Sequence, residues 1–231
     1  MVQYDTAYDV PASDLPRSER AAFITRTYGH LLGAIMAFVI LELLLFRLGW
    51  AQSMAAGLSR SWLLVLGGFV LVSWLATRFA NTAESLTAQY AGLGLYVAAE
   101  AVLFAPLLVV ADRYAPGAIG TAATISLLGF AGLTAVVFAT RRDFSFLRSV
   151  LLWGGVAALL LIVGGVLFGF HLGLGFSVAM VALAGASILY DTSNVLHHYP
   201  VGRHVAAALA LFASVALLFF YVLRILLESR R

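Results

Sequence analysis

The sequence contains no cysteine and no lysine, and it is poor in charge of either sign. The missing cysteine excludes disulfide bonds, thiolate metal sites and thiol redox chemistry. Charged residues make up 11% of the chain, whereas a soluble domain carries about 25%. The formal net charge of +3 is modest and rests on arginine alone. Nothing in this balance points to a nucleic-acid partner.

The chain is rich instead in long apolar runs. Hydrophobic residues make up 62% of the 231 positions, more than a soluble core of this size could bury. A helix that crosses a bilayer needs about 20 apolar residues. Strands of a membrane barrel would alternate apolar and polar residues, and these runs do not. We therefore expect an all-α membrane protein whose main partner is the lipid bilayer.

Seven apolar runs separated by short polar turns predict a bundle of seven transmembrane helices. The runs cover approximately residues 22–48, 62–77, 86–110, 117–140, 146–168, 172–197 and 203–227. Residues 1–21 are acidic and contain Pro11 and Pro16, whereas a secretory signal has a basic start and an apolar core. We predict a flexible N-terminal arm over residues 1–21 and one transmembrane domain over residues 22–231.

The arginines of the short loops predict the orientation, because basic residues are enriched in cytoplasmic loops. A cytoplasmic N-terminus places five loop arginines inside, namely Arg78, Arg141, Arg142, Arg148 and Arg203. Arg230 and Arg231 at the C-terminus would then lie outside, which opposes the rule. The balance favours a multi-pass membrane protein with its N-terminus in the cytoplasm.

Asp191 is the main candidate functional residue. It lies in the stretch AGASILYDTSNVLHH, residues 184–198, near the end of the sixth predicted span. An ionisable group at membrane depth is costly and often marks a functional site. Arg78 ends the second span on the same predicted side. A nearby positive charge would keep Asp191 ionised, whereas burial would favour its protonated form. The pair is therefore either a pH sensor or a structural ion pair.

Glu100 is the second candidate, because it lies in the middle of the third predicted span. Pro106 follows on the same helix and removes one helical hydrogen bond. A carboxylate at this depth is expected to face a polar cavity or another helix rather than lipid. Glu100 either lines a cavity or is a hydrogen-bonded structural residue. Glu42, in the first span, is the third carboxylate at membrane depth.

No pattern of catalytic or metal-binding residues is present. The sequence lacks HExxH, GxSxG and a paired intramembrane aspartate motif. His197, His198 and His204 flank the turn before the last span, but no carboxylate follows them at the spacing of a ligand. Imidazoles at this level are more typical of an interface than of a metal centre. We expect no enzyme activity, no catalytic residue, no metal and no cofactor.

Several stretches resemble one family in order and spacing. The similar stretches are residues 26–31 (RTYGHL) at the start of the first span, 90–108 in the third, 143–147 (DFSFL) before the fifth, 188–192 (ILYDT) at the end of the sixth and 209–226 in the last. Together they resemble the transmembrane Bax inhibitor motif family, in its bacterial branch. The resemblance covers about residues 22–227 and leaves out the N-terminal arm.

The resemblance implies a seven-helix bundle with the C-terminal helix at its centre. It also implies a pH-sensitive Ca²⁺ leak, in which an aspartate pair on the last two helices controls closure. Asp191 matches the first aspartate of that pair, and Ser214 replaces the second. The coupling between two adjacent carboxylates is therefore not implied for this chain. The candidate site consists of Asp191, Arg78, Ser214 and Glu100, as an ion pathway or a pH sensor.

Two functions are compatible with these observations. The first is a pH-sensitive cation leak, with Ca²⁺ as a candidate ion, which serves ion homeostasis. The alternative is a membrane regulator that transports nothing and binds a membrane protease or another component of a stress response. Ser214 in place of an aspartate favours the alternative, since one half of the switch is missing.

Overall fold

The computed structural model describes residues 11, 13, 16–58, 61–82 and 85–230. This part of the chain forms eight α-helices and no β-strand. The helices are α1 (Arg17–Arg47), α2 (Trp50–Leu58), α3 (Trp62–Ala80), α4 (Leu86–Tyr114), α5 (Ala118–Thr140), α6 (Leu147–Phe168), α7 (Leu174–His197) and α8 (His204–Glu228). All except α2 are long and apolar enough to cross a membrane. The predicted class, a seven-span all-α membrane bundle, is confirmed.

Two features at the N-terminal side differ from the sequence analysis. The first helix begins at Arg17 rather than near residue 22, so it includes part of the predicted arm. Most of the arm, residues 1–10, 12, 14 and 15, lies outside the described residues. The short helix α2 was not predicted, because nine residues cannot span a bilayer. Gly49, with φ of 73°, separates α1 from α2, a conformation that glycine adopts without steric cost.

The last helix, α8, forms the centre of the bundle. It packs against α1, α3, α4, α5 and α7. In its apolar stretch 72% of the residues are buried inside the protein, compared with 6% for α6 at the periphery. A helix that is apolar on all sides is suited to such a central position. The central C-terminal helix, which the family resemblance implied, is thus confirmed.

Aromatic side chains fix α8 against its neighbours near the middle of the bundle. The ring of Phe104 on α4 lies 5.2 Å from that of Phe38 on α1. It also lies 5.6 Å from Phe219 and 5.2 Å from Phe220, both on α8. These separations are typical of favourable ring pairs. The cluster holds α1, α4 and α8 in register, and so positions the polar residues of α4 and α8.

Candidate functional site

A hydrogen bond between the last two helices forms the centre of the site. Ser214 Oγ on α8 donates to Asp191 Oδ2 on α7 over 2.6 Å. A hydroxyl that donates to a carboxylate makes a short and comparatively strong hydrogen bond. Asp191 and Ser214 belong to the candidate site of the sequence analysis, and this hydrogen bond brings the two residues together.

Asp191 and Ser214 border a cavity of about 890 Å³ between α3, α4, α6, α7 and α8. Arg78 and Asn81, near the end of α3, also line it, and so does Tyr199 just beyond the end of α7. The cavity therefore extends from one end of the bundle to the Asp191–Ser214 pair.

Arg78 does not pair with Asp191. In the described part of the chain no ion pair within 4.0 Å joins the two residues. The guanidinium of Arg78 lies over the ring of Trp74 instead, 5.5 Å from the ring centroid. Arg78 is exposed at the end of its helix, where long basic side chains extend their heads toward the interface. Arg78 therefore belongs to the cavity wall rather than to a charge pair.

Glu100 lies in the interior of the bundle, where the sequence analysis expected it. Only 5% of its surface is exposed, and it lines a second cavity of about 470 Å³ between α3, α4, α6, α7 and α8. Tyr96, one turn earlier on α4, lines the same cavity. The two cavities share four lining residues, Tyr96, Ser187, Ala213 and Ser214. Polar groups thus extend from Asp191 to Glu100.

The sequence analysis missed Tyr96 and Ser187, which lie where the two cavities meet. Each precedes a candidate carboxylate by four residues, Tyr96 before Glu100 and Ser187 before Asp191. Residues at this spacing lie on the same face of a helix. Helical periodicity around the two acidic residues could therefore have identified both. Glu42, in contrast, is buried on α1 and lines neither cavity.

A second polar cluster fixes the end of α7 that carries Asp191. Asp143, in the loop between α5 and α6, contacts His198 Nε2 through Oδ2 over 2.9 Å. Its Oδ1 accepts from the backbone N–H of Ser145 over 2.8 Å and from Ser193 Oγ over 3.3 Å. The Ser145 N–H, followed by His198, holds the pKa of Asp143 below its ordinary value. The cluster joins the loop to α7 and so helps to position Asp191.

Replacing Asp143 with Asn should lower the melting temperature of the purified protein slightly at pH 7. The loss should be at most about 1 kcal/mol, because the side chains are half exposed. The folded-state pKa of Asp143 is lowered. Its stabilising effect is therefore complete above the unfolded pKa of about 4 and disappears as the pH falls through the folded value.

The measurement is thermal unfolding in detergent micelles over a pH series. Asp112→Asn is the matched control, because Asp112 is exposed near the end of α4 and lies outside this cluster. Equal melting temperatures for Asp143→Asn and the native protein at pH 7 would show that the cluster does not stabilise the fold.

Comparison with known proteins identifies the family. Residues 20–231 match the family described as Inhibitor of apoptosis-promoting Bax1. Uncharacterized protein PA2604 of Pseudomonas aeruginosa is 29% identical over 70% of this chain and 72% of its own length. Modulator of FtsH protease YccA of Escherichia coli K12 is 26% identical over 71% of this chain and 74% of its own length. The same values hold for Inner membrane protein YccA of Escherichia coli O6:H1. The chain therefore belongs to the Bax inhibitor family, as a multi-pass membrane protein.

Proposed function

We propose that this protein is a pH-sensitive cation leak whose pathway passes Asp191 and Glu100. One observation carries the proposal: the cavity at the Asp191–Ser214 pair shares lining residues with the cavity at Glu100. The two cavities together extend from the end of α3 into the middle of the bundle. Carboxylates at membrane depth are costly, and a conduction pathway gives these two a function.

The chemistry of the lining favours a cation such as Ca²⁺. Hard cations bind oxygen ligands, and carboxylate, hydroxyl and phenol oxygens are the polar groups of the pathway, from Asp191, Ser214, Tyr96 and Glu100. Conduction requires sites that bind the ion weakly enough to release it. One carboxylate that already accepts a hydrogen bond is such a weak site. Because protonation removes its charge, Asp191 would also make the leak depend on pH.

The orientation of the pathway follows from the arginines. A cytoplasmic N-terminus places Arg78 on the inner side, together with Arg141 and Arg142 in the loop before α6. This orientation agrees with the enrichment of basic residues in cytoplasmic loops. The cavity at Asp191 would then open to the cytoplasm. A relative named as an inner membrane protein supports the same location for this chain, the inner membrane of a bacterium.

The direct test is ion flux into liposomes that contain the purified protein and an enclosed Ca²⁺ indicator. We expect faster Ca²⁺ entry than in liposomes without protein, with a rate that changes across a pH series. K⁺ and Mg²⁺ gradients, measured in the same way, would define the ion selectivity. Flux equal to that of protein-free liposomes at every pH would reject the leak.

Replacing Glu100 with Gln should lower the flux several-fold without removing its pH dependence. The amide keeps the size of the side chain and its contact with Tyr96, but it removes the negative charge from the inner cavity. Glu19→Gln is the matched control, because Glu19 is exposed in the first turn of α1. Unchanged flux in Glu100→Gln liposomes would place the pathway elsewhere.

The second candidate function is modulation of a membrane protease. It is favoured by the name of one relative, Modulator of FtsH protease YccA, in Escherichia coli. The test reconstitutes a purified membrane protease with and without this protein and follows the degradation of a common substrate. A changed degradation rate that Asp191→Asn leaves unaffected would support regulation through contact. A change that disappears with Asp191→Asn would link it to the ion pathway.

A further inference from the structure

A groove of about 730 Å³ runs between α1 and α4 on the outer side of the bundle, away from the proposed pathway. Its floor contains Gly29 and Gly33 of α1 and Gly94 of α4. A methyl group built on any of these three glycines would meet no atom within 4 Å. The groove is therefore open space, and its glycines are not needed for packing within this chain.

Polar side chains occur at one end of the groove only. The lining there consists of Arg26, His30 and Tyr90. His30 Nδ1 donates to the carbonyl of Arg26 over 2.6 Å, and His30 Nε2 lies 2.8 Å from the Tyr90 hydroxyl. The histidine thus holds Tyr90 of α4 against α1. Arg26 is exposed, and none of the ion pairs found among the described residues includes it.

The remainder of the groove is apolar. Beyond the glycines its walls consist of Ala34, Ala37, Ile40, Leu41, Leu93 and Val97. Charge at one end and an apolar channel below it match the two parts of a membrane lipid. Basic pockets between transmembrane helices bind anionic headgroups. Tyr90 lies near the start of α4, and the ring of His30 lies 4.9 Å from that of His204 at the start of α8. The polar part of the groove is therefore directed toward the end of the bundle at which α8 begins.

We propose that this groove binds one anionic phospholipid. Its phosphate lies against Arg26 and Tyr90, and one acyl chain follows the glycine floor of the groove. The phosphate supplies the negative charge for Arg26. The acyl chain covers the apolar walls. Binding of the lipid does not depend on whether the protein conducts ions.

A helix from a second copy of the chain is the competing occupant. Glycines spaced by four residues, such as Gly29 and Gly33, do occur where two membrane helices approach closely. An apolar helix about 10 Å wide would leave the exposed Arg26 without a charged partner. The polar end of the groove therefore favours a lipid.

The test is native mass spectrometry of the full chain, titrated with phosphatidylglycerol or with the zwitterionic phosphatidylcholine. We expect one saturable phosphatidylglycerol and weaker binding of phosphatidylcholine. Arg26→Gln should weaken phosphatidylglycerol binding about five-fold, since one basic residue near an anionic surface contributes about 1 kcal/mol. Gly33→Leu should remove it by filling the groove. Inorganic phosphate alone should not bind.

Two control variants match these changes. Arg47→Gln removes an exposed arginine from the opposite end of α1, and Gly132→Leu enlarges an exposed glycine of α5 with open space around it. Both should bind phosphatidylglycerol as the native protein does. Equal binding of the two lipids, or equal effects of test and control variants, would overturn the proposal. So would a native dimer that Gly33→Leu dissociates while lipid binding persists, because the groove would then hold a second copy.

Discussion

Replacing Asp191 with Asn should slow cation flux at least about tenfold and make the remaining flux independent of pH. The carboxylate is the charge at the inner end of the large cavity, where Ser214 hydrogen-bonds to it. A unit charge at 4 Å contributes about 4 kcal/mol at an effective dielectric constant of 20. A fraction of this energy, about 1.4 kcal/mol, corresponds to the tenfold change. An amide does not titrate, so the pH response should disappear with the charge.

The measurement compares Ca²⁺ entry into liposomes for the native protein and three variants over a pH series, the first variant being Asp191→Asn. The second variant, Ser214→Ala, removes the hydrogen-bond donor but keeps the carboxylate, so its flux should still depend on pH. The third, Asp112→Asn, makes the same chemical change at an exposed position outside both cavities. If Asp191→Asn and Asp112→Asn show the same rates and the same pH profile, Asp191 has no role in conduction. Modulation of a membrane protease would then be the better supported of the two proposed functions.

The fold was predictable because each span contains enough apolar residues to cross a bilayer independently of its neighbours. The position of Ser214 beside Asp191 was predictable from the family resemblance, which implies an aspartate pair on the last two helices with Ser214 in place of the second. Glu100 was predictable from energetic cost, because a carboxylate in the middle of a span must avoid lipid. In each case one local property of the sequence determined the outcome.

Other features depended on contacts that one sequence does not encode locally. Arg78 lines the same cavity as Asp191, but its guanidinium lies over the ring of Trp74, one turn earlier on α3. The short helix α2 is stabilised by packing against α1 and α4, and its length gave no signal of a span. The connection between the two cavities depends on how α4, α7 and α8 are rotated. These helices carry apolar residues on all of their faces, so the sequence does not indicate which face of each helix is turned toward the cavities.

The contact between α3 and α4 depends on the absence of a side chain at Gly92. A Cβ atom built on Gly92 would lie 2.5 Å from the carbonyl oxygen of Ala76 and 2.7 Å from the backbone nitrogen of Ala80. Both atoms belong to the backbone of α3, which cannot move aside as a flexible side chain could. Small residues allow membrane helices to approach this closely. Gly94, two residues later, has no atom within 4 Å of the corresponding position.

Replacing Gly92 with Ala should therefore destabilise the protein by about 1–3 kcal/mol, the usual cost of an extra methyl group in a tightly packed contact. Gly94→Ala is the control on the same helix, and it should cost nothing because alanine favours helix over glycine. The free energy of unfolding, measured by titration with a denaturing detergent, distinguishes the two variants. Because α3 carries Arg78 and Trp74 in the cavity wall, Gly92→Ala should also alter cation flux in the liposome assay. Equal unfolding free energies for the two variants would mean that α3 and α4 are not in close contact at Gly92 in the membrane.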